Sequence, residues 1–336
     1  MSAGFLLKRL LMAIPTLFGV AVIVFVLLRI VPGDPIAMMI GPGATPADIE
    51  QLRVTYGLDK SIAHQFVLYI GDLAQGHFGT SISMRQDVME LILGRLPVTI
   101  ELCLMAMLLA MINGGAMAVI GAYYRGRWPE AGIDGLAGFM LAIPDFLWAL
   151  LFILFVVILS LSGLPISGRI SHAISFDAVT NFYLIESLLR LRFDVLGSVL
   201  LHMLLPALSL ALPLAAIISR VLKTSLNEAM TQDYVQLARV KGFSRLRIVA
   251  REALRNALVP TVTLTGVQFT FLVGGTVLVE KIFSYPGIGN MAIDAVINRD
   301  LPLIQGLVLT FAVLFIAINL AVDMSYALLN PRMRHG

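Results

Sequence analysis

The first residue able to do chemistry is a carboxylate inside an apolar run. Asp145 follows Pro144 in LAIPDFLWALL. An ionisable side chain in such a place is a functional candidate by default, and it could meet a substrate amino group on a pathway through the membrane. It could equally open a helix restarted after Pro144, where the helix dipole favours a negative charge. Gln268 is a second candidate for lining a pathway. Glu101, Asn113, Asn319 and Asp323 also lie in apolar runs and are expected to bond neighbouring helices or basic groups.

Other chemistry is poorly served. Each of Lys8, Lys60, Lys223, Lys241 and Lys281 lacks a preceding glycine, so none sits in the Gly-Lys-Ser/Thr setting of a phosphate-cradling loop. His64, His77, His172, His202 and His335 are scattered, without the His-Glu-x-x-His spacing of a metal helix. No Gly-x-Ser-x-Gly nucleophile elbow occurs. Cys103 is the only cysteine, which excludes intrachain disulfides and thiolate clusters. No catalytic residue, metal ligand or resident cofactor is assigned.

The elements that hold these residues are set by lipid. Hydrophobic residues make up 58% of the chain and charged residues 13%, with a mean hydropathy of +0.90. A soluble domain carries roughly twice that charge. The class is therefore an all-α integral membrane protein with about six transmembrane helices. A crossing needs on the order of 20 mostly apolar residues. The first run is Leu10–Val31, ended by PGDP because paired prolines cannot continue a helix. A cleaved signal peptide fits less well, because the run is long and no small-x-small site follows it promptly. Further runs lie near 98–123, 134–161, 197–222, 258–280 and 303–326.

Lys8, Arg9, Arg125, Arg127, Arg220, Lys223, Arg332 and Arg334 flank span ends that share one side. The positive-inside rule makes that side the cytoplasm, along with both termini. Arg53, Lys60 and Arg85 lie on the opposite side, spread over longer loops. Of these loops, 32–96 is expected to form a small cap, with helical stretches near Thr45–Tyr56 and Ile62–Ala74 and a turn-rich DLAQGHFGTSIS. Residues 162–196 form the second outer loop. SYPGIG, within Phe283–Pro302, predicts a turn followed by an amphipathic stretch, which could gate the outer mouth, receive a partner or simply pack.

The stretch Thr231–Pro260, TQDYVQLARVKGFSRLRIVAREALRNALVP, is too polar to span and too periodic for a linker. Tyr234, Leu237, Ala238 and Lys241 share helical spacing, with Thr231 as the expected N-cap. Gly242 suits the left-handed residue that ends a helix. Ser244 is the expected cap of a second short helix, with Leu246, Val249, Ala250, Ala253, Leu254 and Ala257 on one face. Such a pair could lie on anionic lipid or dock in a partner's groove. A DNA-binding helix-turn-helix is a poor fit between two spans, and nucleic acid is not expected as a partner.

This segment resembles the coupling loop of ABC importer permeases, whose pattern is Glu-Ala-Ala, three residues, then Gly. Ala238 and Gly242 match it; Gln236 and Leu237 replace the glutamate and first alanine, and Val259-Pro260 stands for a Leu-Pro element. KRLLMAIPTLFGVAVIVFVLLRIVPGDP, YGLDKSIAHQFVLYI, EKIFSYPGIGNMAIDAV and NPRMR resemble the dipeptide/oligopeptide/nickel permease subfamily, most nearly its dipeptide "B" permease subunits.

The resemblance implies a type I ABC importer permease fold with an extracytoplasmic insertion after the first helix, in a bacterial inner membrane. Its expected parts are residues 1–31 with the first span, 32–96 outside, a core over 97–327 with the coupling loop at 224–257, and a tail at 328–336. It also implies a second homologous permease, two ABC ATPase subunits using ATP and Mg, an extracytoplasmic solute-binding protein and the surrounding membrane lipid. Asp233, Tyr234, Ala238, Lys241, Gly242 and Arg245 are the expected ATPase-coupling residues. Peptide is the expected cargo, with nickel or another solute as the alternative. A self-sufficient secondary transporter or channel is the rival class.

Overall fold

The computed structural model describes residues 3–30, 50, 59–161 and 163–329. Its helices are α1 (Ala3–Ile30), α2 (Ile62–Ala74), α3 (Val88–Tyr123), α4 (Trp128–Ala142), α5 (Asp145–Ile158), α6 (Tyr183–Leu189), α7 (Phe193–Ala229), α8 (Asp233–Val240), α9 (Arg245–Ile282), α10 (Ile288–Ile297) and α11 (Leu301–Leu329). Among the described residues, the only strand-like pairing is the bridge between Thr80 and Asp87.

Helices α3, α7, α9 and the Leu301–Val322 part of α11 are long and apolar enough to cross a membrane. Pro97, Pro206, Pro213 and Pro260 lie inside the first three of them, which membrane helices tolerate because neighbours re-satisfy freed backbone groups. The apolar run at 134–161 is divided in two: α4 and α5 meet at a 99° bend, with the helix restarted after Pro144, and the pair forms either one broken crossing or a re-entrant loop. Pro144 has no N–H to continue the ladder, and Ile143 before it is extended, at φ −101° and ψ 121°. Helix α1 carries an apolar stretch over Leu11–Val26.

The chain forms two compact units, one of Met1–Leu96 with Met291–Ile316, the other of Pro97–Asn290 with Ala317–Gly336. In the first, Phe25 of α1 packs against Phe66 and Tyr69 of α2 at ring-centroid distances of 5.1 and 5.5 Å. Ser61 caps α2 by accepting from the N–H of His64. The expected helix at Ile62–Ala74 is thus present, whereas Thr45–Tyr56 lies outside the described residues apart from Glu50. Gly76 and Gly79, at φ 80° and 83°, make the turns anticipated in the glycine-bearing connection.

Asp300 ties this unit together. Its Oδ2 accepts from the hydroxyls of Ser81 (2.6 Å) and Ser83 (2.7 Å) and from the N–H of Ser83 (2.9 Å). Its Oδ1 accepts from the N–H of Leu303 at 3.2 Å, capping α11. Burial opposes charge on Asp300, but the serine donors outweigh it and hold the carboxyl below its usual range. A lowered native pKa means this stabilisation is complete above the unfolded value of about 3.9 and is lost as pH falls through the native one. Thermal melting in detergent should therefore show a steeper acid loss for the wild type than for Asp300→Asn. Equal slopes would show that Asp300 is not the acid-sensitive tie.

The second unit is built around α7, which packs against α4, α5, α6 and α9. Gly114 of α3 lets that helix approach α7 closely: a Cβ there would lie 2.6 Å from the carbonyl oxygen of Ala215. Lys223 of α7 binds Asp134 of α4 at 2.6 Å and Glu130 at 3.4 Å. Asn113 stays within its own helix, donating to the carbonyl of Leu109 at 2.8 Å.

Candidate functional site

The polar segment between α7 and α9 folds as a helix, a glycine turn and a second helix. The expected N-cap is corrected: α8 starts after Gln232, and the Thr231 hydroxyl instead donates to the carbonyl of Glu228 at the end of α7. The other end follows expectation. Gly242 has φ 77°, its N–H bonds the carbonyl of Arg239 at 2.9 Å, and the Phe243 N–H bonds that of Ala238 at 3.2 Å. Those two bonds, with Phe243 packed on the cluster that holds Ala238, make a Schellman ending.

Ser244 caps the next helix by accepting from the N–H of Arg247. That helix is not the expected separate short element. It continues into the span through a π-helical turn at Ile248–Ala253, in which the Leu254 N–H reaches back to Val249. The extra residue in that turn shifts the buried face, so Ile248, Val249, Ala253 and Ala257 are buried while Leu246 and Ala250 are exposed.

Packing divides the predicted coupling residues. Asp233, Tyr234, Lys241, Gly242 and Arg245 are exposed. Ala238 is not available to a partner: it is 5% exposed and packs inward, with Val235, against Ala122 of α3, Leu226 of α7 and Val249 of α9. Its small side chain serves close packing within this chain. The expected coupling residues leave out two apolar side chains exposed on the outward face, Leu237 at 54% and Val240 at 85% exposure. Their i, i+3 spacing opposite Val235 and Ala238 was the available signal. Helix α8 is therefore a wedge packed against three helices and bearing apolar side chains outward.

Asp145 begins α5, and its Oδ1 accepts from the N–H of Phe146 at 2.7 Å. That is the geometry of a restarted helix. The side chain is only partly buried, and a Cβ on Gly275 of α9 would lie 2.7 Å from its Oδ2. Gln268 is half-buried on α9. Glu101 is paired elsewhere, with Arg169 of the segment between α5 and α6 at 2.7 Å; the two side chains are 4% and 6% exposed. Arg169 also donates to the carbonyl of Asn181 and stacks on Tyr183 at 3.7 Å.

A second buried carboxylate shapes the SYPGIG turn. Glu280 accepts from the Thr99 hydroxyl at 2.6 Å and the Asn290 N–H at 2.9 Å, while Thr99 accepts from the Ile288 N–H at 3.0 Å. The start of α10 is thereby pinned to α9 and α3. Gly289 lies so close to α9 that a Cβ would be 2.7 Å from the Cα of Val277. Backbone cannot yield as a side-chain tip can, so Gly289→Ala should destabilise the protein by about 1–3 kcal/mol. Melting of the detergent-purified variant would check this, and an unchanged midpoint would contradict the close packing.

Comparison with known proteins places this arrangement. Residues 114–335 match the family described as "Binding-protein-dependent transport system inner membrane component", and residues 2–103 match its N-terminal companion. The di/tripeptide transport permease DppB of Pseudomonas aeruginosa is 40% identical over 99% of both chains. The glutathione transport permease GsiC of Escherichia coli K12 is 37% identical, again over 99% of both. A chain of the inward-facing MetNI methionine ABC transporter shares the fold at a TM-score of 0.55 and 16% identity, over 72% of this chain and 97% of that one. This multi-pass chain belongs to the inner-membrane permeases of binding-protein-dependent ABC transport systems.

Proposed function

We propose that this permease imports short peptides, with di- and tripeptides as the first class to test, by alternating access driven by partner ATPases. The observation that carries the reading is α8, a wedge fixed in the chain's own core that presents Tyr234, Leu237, Val240 and Lys241 outward. A groove closing on that face would move α8 as one body with α7 and α9. The names of the 40%- and 37%-identical relatives support a peptide cargo.

The proposed assembly has a second homologous permease, two ATPases binding ATP and Mg, and an extracytoplasmic binding protein that selects the cargo. Basic residues at the α3, α7 and α9 ends favour a cytoplasmic α8 and cytoplasmic termini. Asp233 and Arg245 are proposed to flank the docking face, with Gly242 setting its turn. Asp145 and Gln268 are proposed to line the pathway, Asp145 as the charge that meets the peptide amino group.

Reconstitution of the permease with its ATPases, second permease and binding protein into liposomes tests the proposal. Labelled di- or tripeptide should accumulate only with ATP and binding protein together. Uptake by this chain alone under an ion gradient would overturn it.

A further inference from the structure

Beside α8 lies a cavity of about 580 Å³ lined by Arg125, Arg239 and Arg245, together with Thr231, Gln236 and Phe243. Three arginines, from the turn after α3, from α8 and from the start of α9, thus line one space, and no carboxylate is among the lining residues. Among the described residues, none of the three forms an ion pair. Arg239 donates to the side-chain oxygen of Gln236 at 3.5 Å, and Arg245 stands 5.6 Å from the ring of Tyr123. Convergent like charges repel unless a counter-charge enters, and guanidinium forks fit phosphate oxygens in paired hydrogen bonds.

The neighbourhood indicates where that anion comes from. Arg125 follows Tyr123 and Tyr124 at the end of α3 and precedes Trp128, which is 85% exposed. Tyr and Trp at a helix end mark the level of lipid headgroups. Basic pockets between helices on the cytoplasmic side bind phosphate-bearing headgroups.

We propose that this cavity binds the phosphate of an anionic phospholipid headgroup, which bridges the end of α3 to the coupling helix α8 and the start of α9. The inner-leaflet placement rests on the orientation proposed above, whereas the binding does not. The lipid would then set how firmly α8 is held when it is pushed.

Binding is read on the purified full-length permease by native mass spectrometry and by titration with phosphatidylglycerol in phosphatidylcholine nanodiscs. Arg125→Gln and the double variant R125Q/R239Q are compared with the wild type, with inorganic phosphate as a competitor. The wild type should retain phosphatidylglycerol, and the double variant should bind it at least about tenfold more weakly. Arg125→Gln lies outside α8 and should show a smaller loss in the same direction. Displacement of the lipid by inorganic phosphate would keep the site and show that a free anion can also fill it. Equal phosphatidylglycerol and phosphate binding by all three proteins would overturn the proposal. Peptide uptake is not the readout, so failure here is distinct from failure of the peptide reading.

Discussion

Val240→Asp is expected to abolish transport while the permease remains folded in the membrane. Val240 is 85% exposed, so a carboxylate there costs the isolated chain little. Buried in a partner's apolar groove, the same charge would be desolvated without a counter-ion. Losing a central interface residue costs about 2–4 kcal/mol, roughly 30- to 1,000-fold in affinity. Co-purification of the ATPases should fall accordingly, with the permease's melting unchanged. Ala238→Asp is the contrast, since it places the charge among Val235, Leu226 and Val249. It should lower the stability of the permease itself, by about 3 kcal/mol or more if the charge finds no partner. If both variants lost transport with both still stable, the inward assignment of Ala238 would be wrong.

The second large effect is expected where the 162–196 segment meets α3. Arg169→Met removes the charge partner of a carboxylate only 4% exposed and leaves Glu101 with the Leu184 N–H, at 2.8 Å, as a neutral donor in place of an ion pair. Breaking such a pair costs about 3–5 kcal/mol, whereas replacing both members is far milder. The double variant E101Q/R169M should recover most of the loss in thermal melting. Recovery will be incomplete because Arg169 also holds the carbonyl of Asn181 and the face of Tyr183. A double variant as unstable as the single one would mean that the pairing with Glu101 contributes little.

Features set by near neighbours in the chain were legible in the sequence. The Ser61-capped helix at Ile62–Ala74, the Gly242 turn and the Ser244 cap all follow from contacts within about five residues. The apolar runs located the spans but not their ends, because α3, α7 and α9 continue past the hydrocarbon-like stretch with polar turns packed on other helices. Pro144 signals an interruption, but the 99° angle is not local: α4 and α5 each pack on α7, which the sequence pattern does not reveal.

Long-range pairings left no local trace. Glu101 finds Arg169 across 68 positions, and Asp300 finds Ser81 across 219. Within the proposed coupling site, periodicity puts Tyr234 and Lys241 on the exposed side but puts Ala238 with them. A residue so small fits either face, and only the packed neighbours decide. The π-helical turn at Ile248–Ala253 likewise breaks the regular period that pattern reading assumes.

Under the proposed function, partner ATPases drive this permease through the outward face of α8. Cys103 is the only cysteine and is buried, so Val240→Cys adds a single accessible thiol to the chain. In membrane vesicles holding the whole importer, a short thiol crosslinker should join position 240 to an ATPase subunit, with a yield that changes when ATP is added. Free labelling of that thiol with no ATPase adduct, while peptide uptake continues, would contradict the account.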